Sequence, residues 1–162
     1  MKLIKFITLA LVLSFFSTNA YAQKSKRGTP EEAIAMVRKV KRMYSTIGPE
    51  KTFLAVKKLS HGLRDRDLYP YIVHFDGYMA AHFIPALRGL NFVDHTDMTG
   101  RYFFRNMITV LKTKGKGWAS YSFPNPITKK VEEKSAYVER LDNEYFVGVG
   151  IFSKLSDDKI IN

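Results

Sequence analysis

Hydrophobic residues recur every three or four positions between residues 33 and 47, which is the spacing of one face of an α-helix. Just before this stretch, Thr29 and Glu32 are three positions apart. At that spacing each can accept the other's backbone N–H, and Pro30 fits the first helical position. Gly48-Pro49 interrupts the pattern, and a second helical stretch follows. The sequence therefore predicts two consecutive helices.

After residue 68 the chain becomes rich in aromatic and β-branched residues, a composition that favours strands. Residues 69–75 and 78–83 are joined by Asp76-Gly77, a dipeptide that favours a two-residue type I′ turn. Such a turn makes His74 face Met79 across the hairpin. Three more strands are predicted at residues 118–123, 133–141 and 145–152.

Two segments between the strands differ from them. Residues 85–100 show little periodicity and form an irregular segment of a length that is often functional. Residues 101–112 return to helical spacing. Helices come first and strands mostly last, with short connections, which is typical of an α+β fold with an antiparallel sheet. We expect the N-terminal helix on one face of a five-stranded sheet and the irregular segment over the other face.

The first 22 residues have the pattern of a secretory signal peptide. Lys2 and Lys5 give a positive start, an apolar run reaches residue 16, and Ala20-Tyr21-Ala22 is a small-residue cleavage pattern. The run is shorter than the roughly 20 residues that span a membrane. The predicted organisation is a signal peptide at 1–22, a basic lead at 23–29 with residues 23–28 frayed, one domain at 30–152 and a polar tail at 153–162. The processed chain is expected to be soluble, and periplasmic or secreted.

The chain of 162 residues contains 26 Lys and Arg against 15 Asp and Glu, a formal charge of +11, and no cysteine. The absence of cysteine excludes a disulfide scaffold, a thiol nucleophile and cysteine-ligated metal sites. The charge has two interpretations: a solvated surface, or a surface that binds anionic envelope polymers or lipid. No nucleic-acid-binding motif accompanies it, so nucleic acid is not an expected partner.

Catalytic and metal-binding motifs are not found in the sequence. The four histidines lack the spacing of metal ligands, and there is no GxSxG, P-loop or GxGxxG sequence. Asp94 and Asp97 form a carboxylate pair that could perform acid–base chemistry in an exported hydrolase, although carboxylates on a polar loop are more commonly solvated. We therefore expect no enzyme activity, no metal and no cofactor.

Aromatic and cationic residues cluster on and near the predicted sheet. Along residues 118–123, strand alternation places Tyr121 and Phe123 on one face and Trp118 on the other. A concavity with aromatic walls and one or two cations suits a small organic anion. The cation neutralises the carboxylate, and tyrosine hydroxyls complete its hydrogen bonds. The alternative is that most of these rings belong to the core.

Short motifs follow one another in order through the domain. They are Asp76-Gly77, Ala81-His82-Phe83, Leu87-Arg88-Gly89, Asp97-Met98-Thr99-Gly100-Arg101-Tyr102-Phe103-Phe104-Arg105, Gly117-Trp118, Tyr121-Ser122-Phe123-Pro124-Asn125-Pro126, Lys134-Ser135-Ala136-Tyr137-Val138 and Val147-Gly148-Val149-Gly150-Ile151-Phe152. The ordered set resembles the single Cache domains of bacterial extracytoplasmic sensing, and the resemblance covers about residues 30–152. One departure is Phe83, where that family usually has proline.

The resemblance implies a PAS-like antiparallel sheet with a long N-terminal helix on one face and a small-molecule pocket under loops on the other. By matching position, the pocket residues it implies are His82, Phe103, Trp118, Tyr121, Phe123, Lys134 and Tyr137. Lys134 is the implied carboxylate partner, with Tyr121 and Tyr137 as the hydrogen-bonding rim. Lys134 and Tyr137 are three positions apart, so either a bulge intervenes or only one of them lines the pocket.

The resulting hypothesis is a free-standing exported Cache domain that binds a small carboxylate, amino acid or related metabolite. It passes its ligand status to a membrane partner, and the oligomeric state is left open. The first alternative is an exported basic module for anionic envelope polymers or lipid, with affinity that falls steeply with salt. The second is the exported hydrolase that uses Asp94 and Asp97.

Overall fold

A computed structural model of the chain describes residues 27–153. Its elements, in chain order, are α1 (Pro30–Ile47), α2 (Pro49–Lys58), β1 (Pro70–His74), β2 (Met79–Ala81), a 3₁₀ turn (Pro85–Leu87), α3 (Phe103–Lys114), β3 (Lys116–Pro124), β4 (Val131–Arg140) and β5 (Tyr145–Ser153). The predicted order of helices and strands is confirmed. The predicted signal peptide, the start of the basic lead and the tail from residue 154 onward lie outside the described residues.

Helix α1 begins with the capping interaction that its sequence predicts. The Thr29 N–H donates to Glu32 Oε2 at 2.9 Å, and the Glu32 N–H donates to Thr29 Oγ1 at 3.3 Å. The predicted apolar stripe of the helix is buried from Ala33 to Val40, whereas Ile47 at its end is exposed. The cap and the stripe together direct this helix onto the sheet.

The two residues before the cap are held on the domain. Arg27 donates two hydrogen bonds to the Glu132 carboxylate, at 2.6 and 3.0 Å. The Gly28 N–H donates to Asp67 Oδ1 at 2.7 Å. The expectation of a frayed lead is therefore wrong for Arg27 and Gly28, because both have specific partners on distant segments.

The five strands form one antiparallel sheet in the order β2-β1-β5-β4-β3. Helix α1 packs on β5 and β4 on one face, and α3 packs on β3 on the other. Successive side chains of β5 point to opposite faces of the sheet. Val147 and Val149 pack in the core under α1, and Phe146 packs in the core under α3. This is the α+β architecture that the sequence predicts.

The hairpin of β1 and β2 keeps the predicted register at Ile72, which faces Ala81, but the pairing shifts between Ile72 and Val73 and differs from the prediction next to the turn. Val73, rather than His74, faces Met79. The Gly77 N–H donates to the His74 carbonyl at 2.9 Å, and the His74 N–H donates to the carbonyl of residue 78, so the loop has three residues. Gly77 has a φ of +102°, but Asp76 is not among the residues with positive φ. A type I′ turn needs positive φ at both central positions, so it does not form and the pairing moves by one residue.

The irregular segment after β2 lies along the outer edge of that strand. The Met79 N–H donates to the Leu90 carbonyl at 3.0 Å, and the Gly89 N–H donates to the Met79 carbonyl at 2.9 Å. Apart from the 3₁₀ turn, residues 85–100 contain no regular helix or strand, as predicted. Within residues 27–153, no helix is both long enough and apolar enough to cross a membrane.

Candidate ligand-binding site

A small cavity lies between the α3 face of the sheet, α3 itself and the irregular segment. The volume that the centre of a water molecule can occupy inside the cavity is about 20 Å³. Its lining comes from all of these elements and is almost entirely apolar: Tyr71, Met79, His82, Leu87, Phe92, Phe103, Phe104, Tyr121, Phe123 and Lys134. The predicted pocket side of the sheet is therefore the side on which the cavity is found.

The structure brings five of the seven sequence-predicted residues to this cavity. These are His82, Phe103, Tyr121, Phe123 and Lys134. Trp118 and Tyr137 do not line it. Their rings contact each other, with centroids 5.4 Å apart, and Tyr137 belongs to the core under α1.

Strand alternation explains why Tyr137 is on the other face. Strand β4 pairs with both neighbours without a shift in register: Lys134 faces Tyr121, and Tyr137 faces Trp118. No bulge intervenes, so residues three positions apart point to opposite faces. Of the two arrangements left open by the sequence, the structure has the one in which only Lys134 lines the pocket.

The Lys134 side chain is buried, with 1% of its surface exposed. Its ammonium donates a hydrogen bond to the Tyr69 hydroxyl at 2.8 Å and lies 4.0 Å from the centre of the same ring. The Phe152 and Phe123 rings are also near, at 4.9 and 5.3 Å. No carboxylate among residues 27–153 forms an ion pair with it. Burial lowers the pKa of Lys134 to about 7, partly opposed by the negative charge of Asp67.

Two glycines of β5 make room for side chains that cross the sheet surface at the cavity. A methyl group at Gly150 would lie 2.0 Å from Cε of Lys134. A methyl group at Gly148 would lie 2.3 Å from Cζ of Tyr71. Neither distance is possible for real atoms, so glycine at these positions permits the observed placement of Lys134 and Tyr71.

His82 is 2% exposed and follows β2 directly. Its Nδ1 accepts the Ile84 N–H at 3.0 Å, and its backbone carbonyl accepts a hydrogen bond from Arg88 Nε at 2.7 Å. Burial, together with the nearby charges of Lys134 and Arg88, lowers the pKa of His82 to about 3. The imidazole is therefore neutral at physiological pH.

Aromatic rings form the remaining walls. Phe103 from α3 stacks on Tyr121 from β3, with centroids 4.7 Å apart and planes at 9°. The Tyr71 hydroxyl is 3.6 Å from the sulfur of Met107. Burial raises the pKa values of Tyr71 and Tyr121 above the ordinary tyrosine range, so both hydroxyls remain protonated. The cavity thus has neutral polar groups and a single basic amine.

Several residues of this site are not among the seven predicted pocket residues. Tyr71 lines the cavity from β1, and strand alternation could have found it, since Tyr71 and Val73 share the face opposite to Ile72. Leu87 and Phe92 come from the irregular segment, where no periodicity indicates which side chains point inward. The other additions are Met79 and Phe104 in the lining, and Tyr69 as the partner of Lys134.

The structure does not place Asp94 and Asp97 in the cavity lining. Asp97 accepts hydrogen bonds from the backbone N–H groups of Thr99, Arg101 and Ser122, at 2.9, 3.0 and 2.9 Å. These bonds lower the pKa of Asp97 to about 2 despite its burial. Asp94 is exposed and pairs with Arg105. Asp97 thus acts as a structural anchor of its loop, which disfavours the hydrolase hypothesis.

No group of three or more His, Asp or Glu side chains within residues 27–153 could hold a metal ion. The basic residues of α1 lie away from the cavity, on the surface of the helix. Arg38 and Arg42 are exposed there, and Lys41 pairs with Glu139 at 2.7 Å. The charged surface and the cavity are therefore separate features.

The family model described as single Cache domain 2 matches residues 9–157. The matched range begins inside the segment that we interpret as a signal peptide, which lies outside the described residues, so that interpretation remains a prediction.

Three solved structures share the fold. A methyl-accepting chemotaxis protein from Vibrio parahaemolyticus RIMD 2210633 is 23% identical with a TM-score of 0.63, over 80% of this chain and 86% of that one. A periplasmic sensor domain of a chemotaxis protein is 21% identical with a TM-score of 0.60, over 76% and 90%. A Cache chemosensory domain described for carboxylic acid recognition is 20% identical with a TM-score of 0.60, over 76% and 88%. At these identities the likeness concerns the fold alone.

Proposed function

The chain belongs to the single Cache domain 2 family, and on that premise we propose that it is a sensory module that binds a small monocarboxylate beside Lys134. Domains of this family are extracytoplasmic sensors. We further propose that the protein is exported to the periplasm or beyond, and that it passes its ligand status to a membrane partner. The proposed pocket residues are those that line the cavity.

One observation carries the ligand proposal: a lysine ammonium is buried in an aromatic cavity without a carboxylate partner. Lys134 has three N–H donors, and its one hydrogen bond within residues 27–153 is the bond to Tyr69. A buried cation without a contacting counter-charge is costly, and the charge of Asp67 offsets this cost only in part. A bound carboxylate supplies a contacting negative charge and accepts hydrogen bonds from the remaining N–H groups of Lys134. Binding therefore relieves this cost.

The composition of the lining narrows the ligand class. The lining contains no Asp or Glu, so nothing there would pair with the ammonium of an amino acid. Lys134 is also the single cation of the lining, which is enough for one carboxylate but not for two. The rest of the surface is apolar and aromatic. A monocarboxylate with a short uncharged remainder matches this arrangement of one cation and apolar walls.

Isothermal calorimetry on the purified protein tests the proposal. Acetate and propionate are compared with acetamide and propionamide, which have nearly the same shape but no charge. We expect binding of at least one carboxylate and of neither amide. Lys134→Met should abolish it, whereas Lys130→Met, at an exposed lysine just before β4, should not.

Failure of every short monocarboxylate to bind the folded wild-type protein would refute the ligand proposal. Equal carboxylate affinities of the Lys134→Met and Lys130→Met variants would also refute it. Anionic vesicles provide a third arm, because salt-dependent binding to them, unaffected by Lys134→Met, would favour the basic surface of α1 as the functional one.

A further inference from the structure

We propose that Lys134 is also a covalent capture site, at which its side-chain amine forms a reversible imine with a small aldehyde. This inference goes beyond the proposed function, because carboxylate binding uses the charged form of the amine and an imine requires the uncharged form. It follows from the position of the amine nitrogen, the space around it and the hydroxyl group that contacts it.

The amine nitrogen of Lys134 lies against the walls of the cavity. It is 5.5 Å from the centre of the Tyr71 ring and 5.3 Å from the centre of the Phe123 ring. Both rings line the cavity, as does Lys134 itself. The residue is otherwise enclosed, with 1% of its surface exposed. A small molecule inside the cavity therefore lies next to the amine.

Burial makes this amine a nucleophile near neutral pH. Its charged form has lost the solvation by water, and no carboxylate within residues 27–153 forms an ion pair with it. The pKa of Lys134 is lowered to about 7, so about half of the amine is uncharged at pH 7. In an ordinary lysine the uncharged fraction at this pH is roughly 0.04%. Lysines that form imines in proteins are activated by desolvation of this kind.

The titratable groups around the amine come from several segments. They are Asp67 before β1, Tyr69 and Tyr71 on β1, His82 after β2 and Tyr121 on β3. Burial raises the pKa of each tyrosine and lowers the pKa of the histidine to about 3, so these four groups are uncharged near neutral pH. The negative charge of Asp67 opposes the fall in the lysine pKa only in part. The amine is therefore uncharged for a large part of the time.

The small volume of the cavity suits a ligand that is bonded to the lysine. The centre of a water molecule can occupy about 20 Å³, which is room for about one or two water-sized groups. A carbon atom bonded to nitrogen lies about 1.5 Å from it, whereas atoms that are not bonded stay about 3.5 Å apart. An imine carbon therefore occupies space beside the nitrogen that a non-bonded ligand has to leave empty.

The Tyr69 hydroxyl is placed to move the protons that imine formation requires, because it lies 2.8 Å from the amine nitrogen. Attack of the amine on the aldehyde carbon forms the C–N bond, and a proton passes from nitrogen to oxygen to give a carbinolamine. Tyr69 then donates its proton to the departing hydroxyl, which leaves as water, and accepts the remaining proton of the nitrogen. Amine and aldehyde become imine and water, Tyr69 is regenerated, and no oxidant or reductant is needed.

The product suits the cavity better than the free ammonium does. A buried ammonium without a contacting carboxylate is costly, and the imine carries no charge. The aromatic and apolar walls accept the alkyl part of the aldehyde and exclude the water that would hydrolyse the imine. Capture of an aldehyde thus changes the charge of the same buried group with which a carboxylate would pair.

Reductive trapping tests the inference. The purified protein is incubated with acetaldehyde and cyanoborohydride at pH 7, and peptide mass spectrometry follows the gain of an ethyl group at each lysine. We expect Lys134 to be labelled roughly 10- to 100-fold faster than the exposed Lys130, because its larger uncharged fraction outweighs the lower nucleophilicity of a weaker base. Equal or slower labelling of Lys134 would overturn the inference.

The pH dependence of the same experiment gives a second readout. The ratio of the two labelling rates should fall between pH 7 and pH 9, since Lys134 is already largely uncharged at the start of this range. A ratio that stays constant or rises would contradict the inference. Carbon NMR with labelled acetaldehyde should show an imine signal in the wild-type protein and none from this site in Lys134→Met.

Tyr69→Phe tests the proton transfer, because it removes the hydroxyl and keeps the ring. We expect labelling of Lys134 to slow roughly 10-fold or more, while the amount of imine at equilibrium stays near that of the wild type. A group that only shapes the cavity would change the equilibrium as well. An unchanged rate would refute the role of Tyr69.

The outcomes separate this inference from the proposed function. Carboxylate binding that needs Lys134, together with aldehyde labelling no faster than at Lys130, refutes the covalent site and leaves the proposed function intact. Rapid labelling of Lys134 in a protein that binds no short monocarboxylate supports the covalent site and refutes the carboxylate proposal.

Discussion

The two faces of the sheet bury their side chains in different ways. Under α1, aliphatic residues such as Val37, Ile72 and Val149 are fully covered and form a hydrophobic cluster. Under α3, aromatic rings surround a cavity into which Lys134 and His82 present polar groups. The first face gains stability from every buried side chain. The second gives up part of that gain, as a face that binds the proposed ligand would.

Buried polar groups elsewhere in the domain show that this is a local exception. Asp97 accepts three backbone hydrogen bonds and two from the Arg101 and Thr99 side chains. Glu132 accepts from Arg27, Asn125 and Thr128. The carboxylates of Asp97 and Glu132 thus accept several hydrogen bonds each, whereas the Lys134 amine at the cavity donates one, to Tyr69, within the described residues.

Replacement of the lysine of the pocket face by an apolar residue gives the largest expected effect. In Lys134→Met we expect carboxylate affinity to fall by roughly 100-fold or more, because the ligand loses its buried counter-charge. The unliganded protein should become more stable by about 1–4 kcal/mol at pH 7, since a buried cation is replaced by a methionine of similar length. Calorimetry and urea unfolding measure the two changes. A variant that is both less stable and fully competent in binding would contradict the contrast between the faces.

Damage to the other face should have the opposite signature. Ile72 is fully buried under α1, one position from Tyr71 in the cavity wall. Ile72→Ala should destabilise the protein by about 2–5 kcal/mol through the cavity it leaves. Affinity for the carboxylate, measured where the variant is folded, should stay near the wild-type value. A large loss of affinity without a loss of stability would show that the two faces are not separate.

The pH dependence of stability reports the buried amine directly. The folded-state pKa of Lys134 is about 7, below the ordinary value of 10.5, so between these values the unfolded chain binds a proton that the folded chain does not. Stability of the unliganded protein should therefore rise with pH, by up to about 1.4 kcal/mol per pH unit, from pH 7 to about 9. Urea titrations of wild type and Lys134→Met, compared at each pH, isolate this contribution. Equal slopes for the two proteins would contradict it.

Displacement of Lys134 without removing it should have the smallest effect. The methyl group of Gly150→Ala would collide with the lysine stem and move its ammonium, so we expect the Kd to rise roughly tenfold. Gly117→Ala is the matched control, because its methyl group meets Val110 on α3 instead. Calorimetry on both variants should show weaker binding for Gly150→Ala and near-normal binding for Gly117→Ala. Equal losses would indicate a general packing effect.

Local signals predicted much of the fold because they act between neighbouring residues. The capping box at Thr29 and Glu32 occurs as expected, and so does the alternation that separates Trp118 from Tyr121 and Phe123. The predicted hairpin register was wrong next to the turn, because Asp76-Gly77 is compatible with loops of two and of three residues. The preference of this dipeptide for turns does not distinguish the two loop lengths. The pairing of β1 with β2 on one side and β5 on the other does.

Site prediction depended on the kind of segment involved. For Tyr121, period-two alternation and the resemblance to Cache domains agree. Lys134 came from the resemblance, and alternation left open whether it or Tyr137 lines the pocket. Trp118 and Tyr137 were carried over by matching position alone, although alternation already put Trp118 on the face opposite to Tyr121. Phe92 was missed because an irregular segment has no period from which an inward side chain could be inferred.

The sequence by itself determined the order of the elements, the alternation of faces along residues 118–123 and the family. These properties follow from periodicity, capping and motif order, which are written within short stretches of chain. Only the tertiary structure decided that the Lys134 amine has no carboxylate partner among residues 27–153, that Gly150 leaves space for its stem, and that the Ile84 N–H donates to His82 Nδ1. Those properties depend on which groups from distant segments meet, and burial then sets the charge state that each group can keep.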